Sequence, residues 1–118
     1  MSTIHSISTQ QAEHYTWGEN CDSWHLLKKD ALSVIEEIMP PGSEEVRHYH
    51  ERAHQFFYVL AGEAVMEVSG EDVKILAGHG LSMPAKTAHK IKNISKEPVR
   101  FLVVSQPRSH GDRVVVQD

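Results

Sequence analysis

The chain has 118 residues and a formal charge of −4, a length that suits one domain with one core over residues 1–118. Its Lys and Arg residues are scattered, so no basic face is offered to a phosphate backbone and nucleic acid is excluded as the expected partner. The longest apolar run, FFYVLA at 56–61, is too short to span a bilayer, and MSTIHSISTQQ lacks the basic start and apolar centre of a signal peptide. With Cys21 the single cysteine, no intrachain disulfide can form, and a reducing, cytoplasmic setting with no membrane association is expected.

From the N-terminus, STQQAEHY carries N-cap residues, Ser8 and Thr9, ahead of good helix formers, and is open to either a short helix or extended chain. Beyond it, short segments rich in Val, Ile, Phe, Tyr and Trp alternate with turn residues. The predicted strands are SWHLL, ALSVIEEIM, SEEVRHYH, HQFFYVL, AVMEV, VKIL, LSM, HKIKNI and VRFLVVS. The punctuation between them includes PPG at 40–42, AGE at 61–63, SGED at 69–72, AGHG at 77–80 and PAKT at 84–87. LSVIEEIM could align Leu32, Ile35 and Met39 on a helix, but its β-branched residues and the PPG stop favour a strand. Evenly spaced short strands with Gly-rich turns predict an all-β sandwich or barrel. QFFYVL and FLVV are apolar on both faces, which implies a barrel interior on one side and a second covering surface on the other, as in a homodimer.

Nine histidines stand in the chain. In a strand, His48 and His50 project from one face while Arg47 and Tyr49 project from the other. Alone, such a pair more often lies on a solvated strand face than holds a metal. Here GHGLSMPAKTAHKIKN adds His89 at the head of another short strand, and three imidazoles around one interior can hold a divalent transition metal with coordination positions left open. His5, His14, His25, His79 and His110 carry no comparable signal. They read as ordinary solvated or hydrogen-bonded histidines, with His25 in a strand that could line or cap the barrel.

These stretches resemble the two motifs of the cupin superfamily. GSEEVRHYHERAHQFFYVLAG, at 42–62, is similar to the first, with Gly, His-x-His, Glu and Gly at set offsets. GHGLSMPAKTAHKIKN, at 78–93, is similar to the second. Gly42, His48, His50, Gly62, Gly78, Pro84, His89 and Asn93 fall on the motif positions. The resemblance implies a small single-domain cupin of the RmlC-like kind, a double-stranded β-helix or jelly-roll barrel with a metal at its open end. Two positions depart from the pattern. Lys86 replaces a glycine before His89, which places that loop's conformation in question. Where the family has glutamate, this chain offers His54 or Gln55.

The motif's six-residue spacing to Gly62 selects Gln55, since FFYVLA fills it. Gln55, Phe57 and Val59 then face inward, while His54, Phe56, Tyr58 and Leu60 face outward. A β-bulge at the strand start would instead turn His54 inward. The expected ligand set is His48, His50, Gln55 and His89 around one divalent ion, with Mn, Fe, Co, Ni, Cu or Zn all compatible. Neutral ligands leave the full charge on the metal, which favours anionic oxygen ligands and Lewis-acid chemistry. By ligand set the chain is similar to small cupins that open the rings of unsaturated uronates. The functions compatible with this reading are an isomerase or lyase acting on a small oxygenated or sugar-like anion, a dioxygenase using the same site, and a metal or small-molecule binding module without turnover. No residue stands out as a general base. Glu44 is expected to face inward near its strand's start, and Arg108 and Arg113 lie beyond the last predicted strand, where either could grip a carboxylate or simply be solvated.

Overall fold

The computed structural model describes residues 4–117, and among them eleven strands form and no helix. The first five strands are β1 (Glu13–Trp17), β2 (Cys21–Lys28), β3 (Ser33–Met39), β4 (His48–His50) and β5 (His54–Ala61). They are followed by β6 (Glu63–Val68), β7 (Glu71–Leu76), β8 (Gly80–Met83), β9 (His89–Lys92), β10 (Val99–Gln106) and β11 (Arg113–Val115). One sheet has the order β1-β2-β3-β10-β5-β8 and the other β11-β4-β9-β6-β7. A single core draws on both, with Met39, Phe57, Val59 and Phe101 from the first sheet and Ala64, Met66, Ile75 and Ile91 from the second. This is the jelly roll expected from the sequence.

Strict alternation of buried and partly exposed residues along β3 and β10 follows from the two-residue side-chain period of a pleated strand. In β5, Gln55, Phe57 and Val59 are buried, whereas His54, Phe56, Tyr58 and Leu60 are exposed, the register that the count to Gly62 required. Gly62 sits at φ +79°, and a Cβ there would meet the Pro98 carbonyl oxygen at 2.4 Å. Only glycine lets β5 turn into β6 beneath that backbone.

One open choice is settled and two local expectations are corrected. Residues Ser8–Ala12 make one hydrogen-bonded turn, in which the Ser8 carbonyl accepts from Gln11 (3.1 Å) and Ala12 (3.0 Å), and the chain then enters β1 rather than a helix. Pairing of Glu13–Trp17 with β2 overrides the local propensity. SEEVRHYH is not one continuous strand: Ser43 and Glu45 turn toward the interior, and so do His48 and His50, three residues after Glu45. The extra residue is a bulge, which reverses the face on which Glu44 falls; Glu44 is exposed and pairs with Lys90 at 3.3 Å. Finally, the C-terminal segment forms β11, which adds to the edge of β4.

Lys86 answers the question raised by its missing glycine. It adopts φ +61°, the left-handed conformation a glycine would supply, at a cost of about 1 kcal/mol. Its amide donates to the His50 carbonyl at 2.7 Å, so the loop before His89 is tied to the end of β4. Asn93 is fully buried and closes the other side. Its amide nitrogen donates to the carbonyls of Met39 (3.0 Å) and Glu97 (2.8 Å), while Oδ1 accepts from Ser95 N (3.0 Å) and Oγ (2.7 Å).

Candidate metal centre

His48 and His89 stand directly opposite each other on β4 and β9, and His50 follows two residues along the same face. All three are buried, and one ligating atom from each falls within 4.8 Å of the others. Nδ1 of His48 lies 2.8 Å from the Val46 carbonyl and Nδ1 of His89 lies 2.8 Å from the Thr87 carbonyl. A carbonyl only accepts, so in both rings Nδ1 holds the proton and Nε2 presents a lone pair. Nε2 of His89 and Nδ1 of His50 are buried without a hydrogen-bond partner.

Gln55 comes from the opposite sheet. Its side-chain nitrogen donates to Ser105 Oγ at 3.0 Å, across the β5–β10 pair, and its Oε1 is buried and unpartnered. Each orphaned polar atom costs about 1–3 kcal/mol unless it finds a partner. A divalent transition ion is what this donor set fits. His54, by contrast, is exposed and hydrogen-bonded to Ser82 Oγ at 2.7 Å.

His48, His50 and Gln55 open onto a cavity of about 250 Å³ that is also lined by Tyr15, Trp17, Glu37, Glu45, His110 and Arg113. Burial pushes Glu37 up to about 7, although Ser23 and Trp17 donate toward it. Burial, reinforced by Glu37, pushes Glu45 up to about 8. Burial and Glu37 also raise the Tyr15 phenol to about 12, keeping it a neutral donor. The imidazoles shift the other way. Desolvation, with the neighbouring His89 contributing, lowers His48 to about 3 and His50 to about 4, and desolvation lowers His89 as well. The rings are therefore neutral, and ready to ligate, throughout the physiological pH range.

Glu37, Glu45 and His110 escaped the sequence reading, whereas Arg113, one of the two arginines placed where either could grip a carboxylate or be solvated, does line the cavity. Glu37 lies between Ile35 and Met39 on the inward face of β3, so a carboxylate within an apolar alternation was the available signal. Glu45 was hidden by the bulge. His110, read as an ordinary histidine, lines the cavity and stacks edge-on to His25 at 5.0 Å between ring centres. Arg113 reaches the cavity because Asp112 anchors the strand behind it. The Asp112 carboxylate accepts from the backbone amides of Ala53 (2.8 Å) and Arg52 (3.0 Å). Arg108 is not part of the cavity lining and lies 3.5 Å from the Asp30 carboxylate.

A family model for the cupin domain matches residues 35–105, more than half of the chain. The chain belongs to the cupin family. This cupin is 34% identical over 94 residues to an uncharacterized protein of Methanocaldococcus jannaschii, covering 79% of this chain and 75% of that one. It is also 34% identical over 85 residues to an oxalate-binding protein of Thermotoga maritima, covering 68% and 70% respectively. Among solved structures, a predicted oxalate decarboxylase from Thermotoga maritima superposes with a TM-score of 0.76 at 27% identity, over 86% of this cupin and 98% of that chain. No helix among the described residues is long and apolar enough to cross a membrane.

The opposed shifts give the metal-free cupin a defined stability profile. Below pH 6.5 the unfolded chain protonates His48, His50 and His89 while the fold resists, so their contribution is lost as pH falls through about 4 and 3. Glu37 and Glu45 act oppositely. The fold keeps protons that the unfolded chain releases above 4.5, so their contribution is full below 4.5 and is lost as pH rises through about 7 and 8. Three histidines outweigh two glutamates up to pH 6.5, and above it only the glutamates titrate. Denaturant unfolding in the presence of a chelator should show maximal stability near pH 6.5 and a loss of about 2–3 kcal/mol by pH 8. Stability that climbs steadily from pH 6.5 to 8 would contradict these shifts.

Proposed function

We propose that His48, His50, Gln55 and His89 hold one divalent transition ion, and that this cupin acts through it on a small oxygen-rich anion, as an isomerase or lyase. The observation that carries the reading is the cluster of three buried imidazoles beside a cavity that His48, His50, Gln55 and a buried carboxyl line, with polar atoms of His50, Gln55 and His89 buried and unpartnered. A bound ion supplies Lewis acidity there, undiminished by any anionic ligand. Arg113 at the cavity adds a cation suited to a substrate carboxylate. The volume of about 250 Å³ suits a small metabolite rather than a polymer segment.

A second reading is binding without turnover, favoured by the likeness to an oxalate-binding protein. Elemental analysis after purification without added metal, followed by binding and turnover assays on keto acids, uronates and catechols, separates the alternatives. One divalent ion per chain with turnover of a keto acid or uronate is expected. Binding without turnover supports the second reading, catechol oxidation supports a dioxygenase, and absence of metal even after reconstitution defeats all three.

The same proposal includes a homodimer. Phe56, Tyr58 and Leu60 are 42, 36 and 42% exposed on the outer face of β5. Phe56 and Tyr58 pair with Val104 and Leu102 of β10, which widens the apolar strip. Sedimentation should give the mass of two chains at micromolar concentration, and a one-chain mass would refute the dimer.

A further inference from the structure

We infer that Glu37 is the proton-transferring residue for the reaction proposed above, and that the substrate is an α-hydroxy carbonyl acid with an abstractable C–H. This assignment rests on the metal-centred reading of the cavity. Glu37 lies on the sheet opposite the three histidines, in β3 between β2 and β10, and its carboxyl lines the same cavity as His48, His50 and Gln55.

Its orientation is fixed by a chain of donors. The Trp17 indole N–H donates to Ser23 Oγ at 2.7 Å, and the hydroxyl, its acceptor side engaged, donates to Glu37 Oε2. Ser23 is fully buried, so this arrangement is not exchanged with solvent. A carboxyl enclosed in this way costs several kcal/mol and gives nothing to the core that glutamine or an apolar residue would not. Glu45 is less suited to the role. It accepts from the Ile91 amide at 3.3 Å and stands 3.9 Å from His48 Nδ1, whose proton goes to the Val46 carbonyl, so no donor of comparable closeness fixes its orientation toward the cavity. Burial holds Glu37 near neutrality, where a carboxyl both accepts and returns a proton readily.

The step is balanced. The Glu37 carboxylate takes the hydrogen from the hydroxyl-bearing carbon as a proton. The C–H electron pair becomes the new C=C bond, and the carbonyl π pair moves onto its oxygen, giving an enediolate. Collapse of the enediolate returns the proton to the neighbouring carbon while the hydroxyl proton on the first oxygen passes to the second, so the carbonyl moves one position along and the carboxylate is freed. No oxidant or reductant is consumed.

The test uses hydroxypyruvate in D2O, with deuterium incorporation at carbon read by mass spectrometry and oxalate as a ligand that has no C–H. Parent protein, Glu37→Gln and Glu37→Asp are each reconstituted in turn with Zn²⁺, Co²⁺ and Ni²⁺, and metal content and melting temperature are measured alongside. Parent protein should exchange well above buffer plus metal. Glu37→Gln should keep its metal, bind oxalate within a few-fold of the parent and lose exchange by about a hundredfold or more. Glu37→Asp should fall in between, and it carries the comparison if the glutamine variant does not fold. Undiminished exchange by Glu37→Gln overturns the assignment and leaves the metal reading standing. So does loss of oxalate binding with exchange retained. No exchange by fully metal-loaded parent overturns both the isomerase or lyase reading and the role of Glu37.

Discussion

Alanine at His48, His50 or His89 should lower metal affinity more than about tenfold in each case, because each removes one of three buried imidazoles whose ligating atoms cluster within 4.8 Å. Gln55→Ala should cost less, since an amide oxygen is a weak neutral donor. Gln55→Glu should tighten binding, adding charge attraction inside a largely desolvated pocket. His54→Ala should bind like the parent: that ring faces outward and is engaged by Ser82. Metal content by elemental analysis, with competitive chelator titration for affinity, measures the series. If His54→Ala loses metal while Gln55→Ala keeps it, the β5 register is wrong by one residue in solution.

Gly62→Ala should destabilise the fold by about 3 kcal/mol or more. The left-handed conformation costs a β-carbon about 1–2 kcal/mol, and the Cβ would stand 2.4 Å from the Pro98 carbonyl oxygen and 3.1 Å from Val99 Cα. Both neighbours are backbone, so relief requires β10 to shift, which adds overpacking strain of about 1–3 kcal/mol. Thermal or denaturant unfolding reads the loss directly. A variant within about 1 kcal/mol of the parent would mean that the β5–β6 turn relaxes more freely than its packing allows. Gly42 is the natural control. Its φ is also positive, at +82°, but a Cβ there meets nothing within 4 Å, so Gly42→Ala should lose only the conformational part.

These two predictions share an origin, because Gly62 sets the register that turns Gln55 inward. That much was legible in the sequence: a strand's period is two, so a fixed count from a glycine turn determines which of two adjacent side chains faces the interior. His48 and His50 were legible for the same reason. His89 and the jelly roll came from motif offsets, with Gly42, Gly62, Gly78, Pro84 and Asn93 marking where the backbone must turn or be stapled. Lys86 showed that a missing glycine need not change the loop, since a hydrogen bond to His50 holds lysine in the conformation glycine would adopt more cheaply.

The rest of the cavity depended on tertiary structure. Inward facing of Glu45 follows from a bulge that local propensity does not encode, and it placed Glu44 on the wrong side. His110 and Arg113 reach the cavity only because the Asp112 carboxylate binds backbone amides about sixty positions earlier, at Arg52 and Ala53, and lays β11 along β4. The sequence by itself determined the inward faces of His48, His50 and Gln55 through strand periodicity and turn geometry, while the jelly roll and His89 were legible through the resemblance to the two motifs. Only the tertiary structure decided what faces the candidate metal site across the cavity: the alternation of β3 turns Glu37 inward, but its meeting with the histidines, like that of His110 and Arg113, comes from contacts between distant segments that leave no periodic trace in the chain.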